Sequence, residues 1–291
     1  AAVEAVKAGN DVLLSFSELE SSYKGLLQAV RSGEIPESRI DQSVLKILRA
    51  KASVGLNQAT QVDIDAVNRI VARPESLALA QEIADRAVTL VRDNHQVLPL
   101  VATVAGTKAP QNAYHSAAEN CQQTVVLIFT DDSRYDDGRV LEHQTHLRIP
   151  DAKVFYIDAR NAAGVQAPVM DAVAAAQKVV VAVYLSPLGG AQTNKTALQN
   201  EPAAVLERVL QSAAPKTVVV AMGNPYIATQ FPAIQTYLCT FSDAQVSEMS
   251  AVKAMFGEIP MTGHLPVTIP GIAERGAGLK GAEPDSSGGP Q

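Results

Sequence analysis

Ten residues, Thr130 to Arg139, read TDDSRYDDGR and pack Asp131, Asp132, Asp136 and Asp137 into one short segment, with Glu142 just beyond. Carboxylates at this density can hydrogen-bond the hydroxyls of a sugar, coordinate a cation, or cap the helix that follows. Capping or plain solvation is the commonest use of such a cluster. The other groups able to do chemistry are dispersed. His95, His115, His143, His146 and His264 are scattered, and only His143 and His146, in LEHQTHLR, are near neighbours. A pair three residues apart on an exposed turn is more often polar surface than a metal site, and no metal is expected. Ser186 and Ser242 lack the G-x-S-x-G context of an activated nucleophile. No glycine-rich phosphate or dinucleotide fingerprint occurs, so no nucleotide cofactor is expected. Cys121 and Cys239 have no ligand spacing and read as small buried thiols.

The acidic segment follows VVLIF, and that position matters. VVLIF at Val125, VFYID at Val154, VVVAVYL at Val179, VVVAM at Val218 and TYLCTF at Thr236 are unbroken apolar runs of strand length. Runs without polar alternation belong to strands covered on both faces, as in a mostly parallel sheet. APVMDAVAAAQK, EPAAVLERVLQSAA and AQVSEMSAVKAMFG lie between them with helical patterning. Strand and helix in alternation predict a three-layer α/β/α sandwich over residues 101–271. Such sheets receive ligands at the carboxyl ends of their strands, which puts the acidic segment on the functional edge. GNPY, at Gly223 to Tyr226, ends another core strand on that edge and reads as a sharp scaffold turn.

Upstream, residues 1–56 hold a helix, one lone short strand at VLL (12–14) and two amphipathic helices. These cannot close a core, so the segment reads as the end of something larger. Arg39, Asp41, Lys46, Arg49 and Lys51 read as a solvated helix face. Residues 57–100 read as a polar linker, a connecting helix running into a short strand, and an exposed turn at NHQVLPL; residues 272–291, rich in Gly, Pro and charge, read as a flexible tail. Over 291 residues, 47% hydrophobic and 19% charged composition is that of a globular protein rather than a disordered one. A net charge of -6, spread along the chain, gives no footprint for nucleic acid. No apolar run approaches the roughly 18 residues of a membrane span. The opening AAVEAVKAGND carries no address for a compartment. Four percent aromatics with no Trp is poor material for a free-standing sugar-binding module.

Four blocks in order carry a resemblance. AVKAGNDVLL, LLQAVRSGEIPESRIDQSVLKILRAKASVGL, AQEIADRAVTLVRDNHQVLPL and the long stretch from VVVAMGNPYIATQFP to HLPVTIPG resemble family 3 glycoside hydrolases over Ala1 to about Gly271. Members join a (β/α)₈ barrel to an α/β sandwich. The resemblance implies that residues 1–56 are the last βα unit of a truncated barrel, and that the catalytic nucleophile, an Asp on an earlier barrel strand, lies upstream. No catalytic nucleophile is therefore expected in this chain. The expected partners are a carbohydrate substrate and the upstream barrel domain of the same polypeptide, without metal or organic cofactor.

Within the family, the β-glucosidase-like branch takes its acid/base Glu from a sandwich loop that aligns with SPLGGAQTNKTALQN, Ser186 to Asn200. Here that loop contains no carboxylate. A retaining glycosidase needs one group to attack and another to protonate. The resemblance thus implies the branch that cleaves β-N-acetylglucosaminides, whose acid/base comes from the barrel. Asp131, Asp132, Asp136, Asp137 and Glu142 remain as reserve acids. The alternatives are a β-glucosidase-type hydrolase, or a non-catalytic sandwich that buttresses a partner barrel. MTGHLPVTIP departs from the family in placing His264 where a basic residue such as Lys is usual, and a structural role is expected for it.

Overall fold

A computed structural model describes residues 1–14, 18–100, 123–134, 136–185 and 197–279. It divides into two compact units, Ala1–Arg73 and Pro74–Gln291.

The first unit contains α1 (Ala2–Lys7), α2 (Leu19–Arg31), α3 (Glu37–Ser53) and α4 (Ile64–Ile70). Its small core gathers Val6, Ala29 and Ile35. Gly33, at φ +77°, lets the chain turn out of α2 without a Cβ penalty. Val12–Leu14, expected as a strand, makes no ladder in the structure. A strand needs a hydrogen-bonded neighbour, and none stands beside it among the described residues. Arg39 departs from the expected solvated face and is largely covered, whereas Lys46 stays exposed on it. Both reach Asp11, at 3.1 and 2.8 Å, and Asp11 also accepts the Ser43 hydroxyl at 2.8 Å. These bonds tie the segment after α1 to α3.

The second unit is built on a six-stranded sheet: β1 (Thr89–Asp93), β2 (Thr124–Phe129), β3 (Lys153–Ile157), β4 (Lys178–Leu185), β5 (Thr217–Gly223) and β6 (Thr236–Cys239). The strands lie in the order β1-β6-β5-β4-β2-β3, parallel except for β1, which pairs antiparallel with β6. Among the described residues the unit also holds helices α5 (Pro74–Ala87), α6 (Arg139–His146), α7 (Ala162–Ala175), α8 (Asn200–Ala213), α9 (Ile227–Gln230) and α10 (Gln245–Met255).

Successive residues of one strand sort to opposite faces, as the pleat demands. Val125, Leu127 and Phe129 of β2 meet α7 and α8 through Val169, Val173, Val205 and Leu206. Val126 and Ile128 join the other core, with Ala251, Val252 and Met255 of α10 and Leu141 of α6. Both faces of the sheet are therefore dry, which is why β2 and β4 carry apolar residues at consecutive positions. Each fully buried Val, Leu or Ile contributes on the order of 1.5–3 kcal/mol.

One of the two flanking segments follows expectation, a helix running into a short strand, and the other does not. The connecting helix of 57–100 is α5, which packs on α10, and the chain runs from it directly into β1 at the sheet edge. Residues 272–279, expected as flexible tail, fold back: Leu265 and Ala277 exchange a backbone hydrogen bond at 2.8 Å, and Leu279 N–H donates to Leu90 O at 2.7 Å. Residues 280–291 lie outside the described residues.

Candidate functional site

The chain leaves β2 for β3 on one side, then crosses back to β4 on the other. Since β2 leads to β3 on one side and β4 leads to β5 on the other, the carboxyl ends of β2 and β4 form a topological switch point, where open α/β sheets bind ligands. The acidic segment, following β2, lies on one side of it. Residues 186–196 follow β4 and lie outside the described residues, as do Ser186, His115 and Cys121. The return of that loop is fixed: Leu198 N–H donates to Gln230 Oε1 at 2.9 Å, and Gln230 Nε2 donates to Leu198 O at 2.7 Å.

The five candidate acids differ sharply in their surroundings. Asp132 accepts Arg134 through Nε and Nη2, at 3.0 and 2.7 Å, and accepts Arg160 on the same carboxylate. Arg134 first, then Arg160, hold its carboxyl far below the usual Asp range, so it stays ionised. Asp137 accepts the Thr130 hydroxyl at 2.8 Å. Burial raises its pKa, and the neighbouring charges of Asp243, Asp131 and Asp136 push the same way. Asp131 is half-buried and Asp136 exposed. Glu142, on α6, accepts the Tyr156 hydroxyl at 2.6 Å, and the Arg139 guanidinium lies 4.1 Å from the Tyr156 ring centre.

Three residues that sequence reasoning did not single out organise this edge. Asp158, just after β3 and 1% exposed, accepts Ser133 N–H at 3.1 Å, Ser133 Oγ at 2.9 Å and Arg160 Nη2 at 2.7 Å. Burial works against its charge, but these bonds win and keep it ionised well below the usual value. Arg160 thereby bridges Asp132 and Asp158, locking the loop after β2 to the loop after β3. The third is Glu248 of α10, also 1% exposed. It accepts Gly138 N–H at 2.8 Å and Leu141 N–H at 2.7 Å, across the start of α6. The expected cap from a nearby Asp is absent: Gly138 is the N-cap and makes no side-chain cap, so the distant Glu248 supplies the acceptor.

His146 Nε2 lies 2.9 Å from Ala152 O, a hydrogen bond that occupies the nitrogen. Among the described residues no three His, Cys, Asp or Glu side chains gather as metal ligands. GNPY is held as scaffold. Gly223 has φ +93°, Asn224 Oδ1 accepts Tyr226 N–H at 2.9 Å, and Tyr237 donates its hydroxyl to Pro225 O at 2.6 Å. Ser242 accepts Ala244 N–H at 3.1 Å, a local turn. His264 is exposed.

The sequence profile of the glycosyl hydrolase family 3 C-terminal domain matches residues 15–285. The chain belongs to glycosyl hydrolase family 3. A β-N-acetylglucosaminidase/β-glucosidase of Cellulomonas fimi is 25% identical over 276 residues, covering 90% of this chain and 44% of the relative. A periplasmic β-glucosidase/β-xylosidase of Dickeya chrysanthemi is 30% identical over 154 residues, covering 53% of this chain and 22% of the relative. The solved family 3 β-N-acetylglucosaminidase of Paenibacillus sp. str. FPU-7 shares the fold at TM-score 0.58 and 20% identity, over 92% of this chain and 47% of that one. A solved β-glucoside phosphorylase shares it at TM-score 0.60 and 16% identity, over 93% and 45%. The chain thus spans less than half the length of these relatives. In this family 3 domain the acids of the switch point fall into two classes. Asp132 and Asp158 are ionised ligands of arginine, whereas among the described residues Asp137 has a hydroxyl donor and like charges around it.

Proposed function

We propose that this chain is the sandwich side of a retaining β-glycosidase that hydrolyses O-glycosidic bonds, with terminal β-N-acetylglucosaminides as its substrates. In this reading a barrel domain of the same polypeptide supplies both the nucleophile and the general acid, and the sandwich loops contact the sugar. The observation that carries it is the state of Asp132. A general acid must hold a proton when the leaving group departs, and Asp132, clamped by Arg134 and Arg160, holds none. The carboxylate-free segment Ser186 to Asn200 supports the same conclusion. So does the relative from Cellulomonas fimi, whose name includes β-N-acetylglucosaminidase.

Asp137 favours the second reading, a β-glucosidase-type hydrolase with its acid on the sandwich, because its raised pKa suits a proton donor. Leaving-group dependence separates the two. D132N and D137N are made in the complete enzyme and assayed with an activated aryl glycoside and a poorly activated one. In the first reading the ratio of the two rates stays within about threefold of wild type. General acid catalysis is worth roughly a hundred- to ten-thousand-fold. A loss of that size confined to the poor leaving group in D137N moves the acid onto the sandwich and overturns the assignment.

A further inference from the structure

Helix α10 turns Ala251, Val252 and Met255 into the core, and Glu248 stands on the same stripe, three, four and seven residues earlier. A carboxylate in that position is expensive unless its oxygens are satisfied. Both are, and neither by a cation: the described residues offer it the backbone N–H groups of Gly138 and Leu141, 110 and 107 residues away. The same junction is pressed from beneath. Gly138 sits at φ +81°, and a Cβ there would stand 2.7 Å from Ile128 Cγ2 of β2. Asp137 immediately precedes this pinned glycine, with its carboxylate on the Thr130 hydroxyl. At the adjoining end of β4 the Tyr184 hydroxyl is buried and stands near the Glu248 carboxylate. Burial first, and then the charge of Glu248, pushes that phenol well above its ordinary value, so it stays neutral.

We propose that Glu248 is a positioning residue, a buried clamp from α10 that fixes the Asp137–Gly138 junction and so presents Asp137 to a hydroxyl of the sugar at the switch point. The clamp needs two acceptor oxygens at once. A glutamine has one, and turns an N–H₂ donor against the second backbone N–H. The loop in E248Q therefore loses its anchor while the core keeps its volume. The substrate contact rests on the functional reading above; the clamp itself does not.

Two measurements test it. Amide hydrogen exchange on this chain should show Gly138 and Leu141 exchanging about ten- to a hundredfold faster in E248Q, the worth of one or two hydrogen bonds. Val180 to Val183 in β4 should change less than twofold. Unchanged protection at Gly138 and Leu141, or equal loss throughout the sheet, overturns the clamp. In the complete enzyme, E248Q and D137N should each raise KM about three- to tenfold with kcat within twofold. The double variant E248Q/D137N should be no worse than D137N, because residues acting as one unit are not additive. Additive effects, an unchanged KM, or a fall in kcat alone overturns the positioning role. If E248Q does not fold, E248D retains the charge but is one methylene short, and the same readings apply. A wild-type enzyme that cleaves no β-glycoside refutes the functional reading, and leaves the exchange measurement to decide the clamp.

Discussion

Substituting Gly263 by alanine is the most direct check on how the C-terminal segment is seated. Gly263 donates its N–H to Val88 O at 3.1 Å, which brings its Cα against the residues that open β1. A Cβ there would lie 2.4 Å from Ala87 O, 2.4 Å from Thr89 Oγ1 and 2.7 Å from Val88 O. Carbon and oxygen normally keep about 3.3 Å or more apart, so the two backbones must separate by close to an ångström. Neither side yields easily. Val88 and Thr89 are fully buried, and Thr89 is in register with Cys239 of β6. Overpacking of this kind costs about 1–3 kcal/mol, and the Gly263–Val88 bond adds about 0.5–1.5 kcal/mol when it breaks. For a domain of this size each kcal/mol shifts the midpoint by about 2–4 °C, so G263A should melt about 5–15 °C below wild type by calorimetry. A midpoint within about 2 °C of wild type would show that the segment is not held against β1 and would refute the reasoning.

Two further outcomes follow from the ionisable groups. Asp11 is held down to about 2 from its ordinary 3.8, chiefly by Lys46 and then by Ser43. A lowered folded value means that its contribution is complete above the unfolded pKa and is lost as pH falls through about 2; D11N should therefore weaken the helices of Ala1–Arg73 at pH 7 and far less at pH 2, read by circular dichroism, and an equal effect at both values would count against it. Burial pushes the Cys239 thiol up to about 12, and the residue is fully buried, so native protein should resist iodoacetamide at Cys239 at pH 8 and react once unfolded. Peptide mapping that finds native alkylation at Cys239 would contradict this.

The five parallel strands were legible because burial on both faces leaves no polar alternation: TVVLIF and KVVVAVYL cannot be read as anything exposed. β1 was harder. TLVRD places Arg92 and Asp93 in a strand of five, and an edge strand tolerates charge that a central one rejects. Local reading gives a short strand after the helix, but neither its place at the sheet edge nor its partner β6, which lies far along the chain. Composition hid the return of residues 272–279, whose Gly and charge are those of a free tail. Gly278 and Gly263 are small because they cross: a Cβ at Gly278 would meet Gly263 O at 2.4 Å. Val12–Leu14 failed for the opposite reason, since apolar composition makes a strand only where another strand accepts its hydrogen bonds.

Placement of the acids on the sheet edge was legible, and their division of labour was not. Asp131, Asp132, Asp136 and Asp137 are one residue type within seven positions, and nothing local separates them. What separates them comes from elsewhere. Arg160, from the loop after β3, reaches Asp132 and fixes it as an anion; burial and the charges of Asp243, Asp131 and Asp136 favour the proton of Asp137, against the Thr130 hydroxyl, which favours its anion. Only Glu248 left a local trace. An acid at the head of the stripe shared with Ala251, Val252 and Met255 is a carboxylate facing the core, which must have donors waiting for it. Those donors are the first amides of α6, so the acidic loop is shaped by a residue more than a hundred positions downstream, and any role for Asp137 depends on that bond as much as on its own carboxyl.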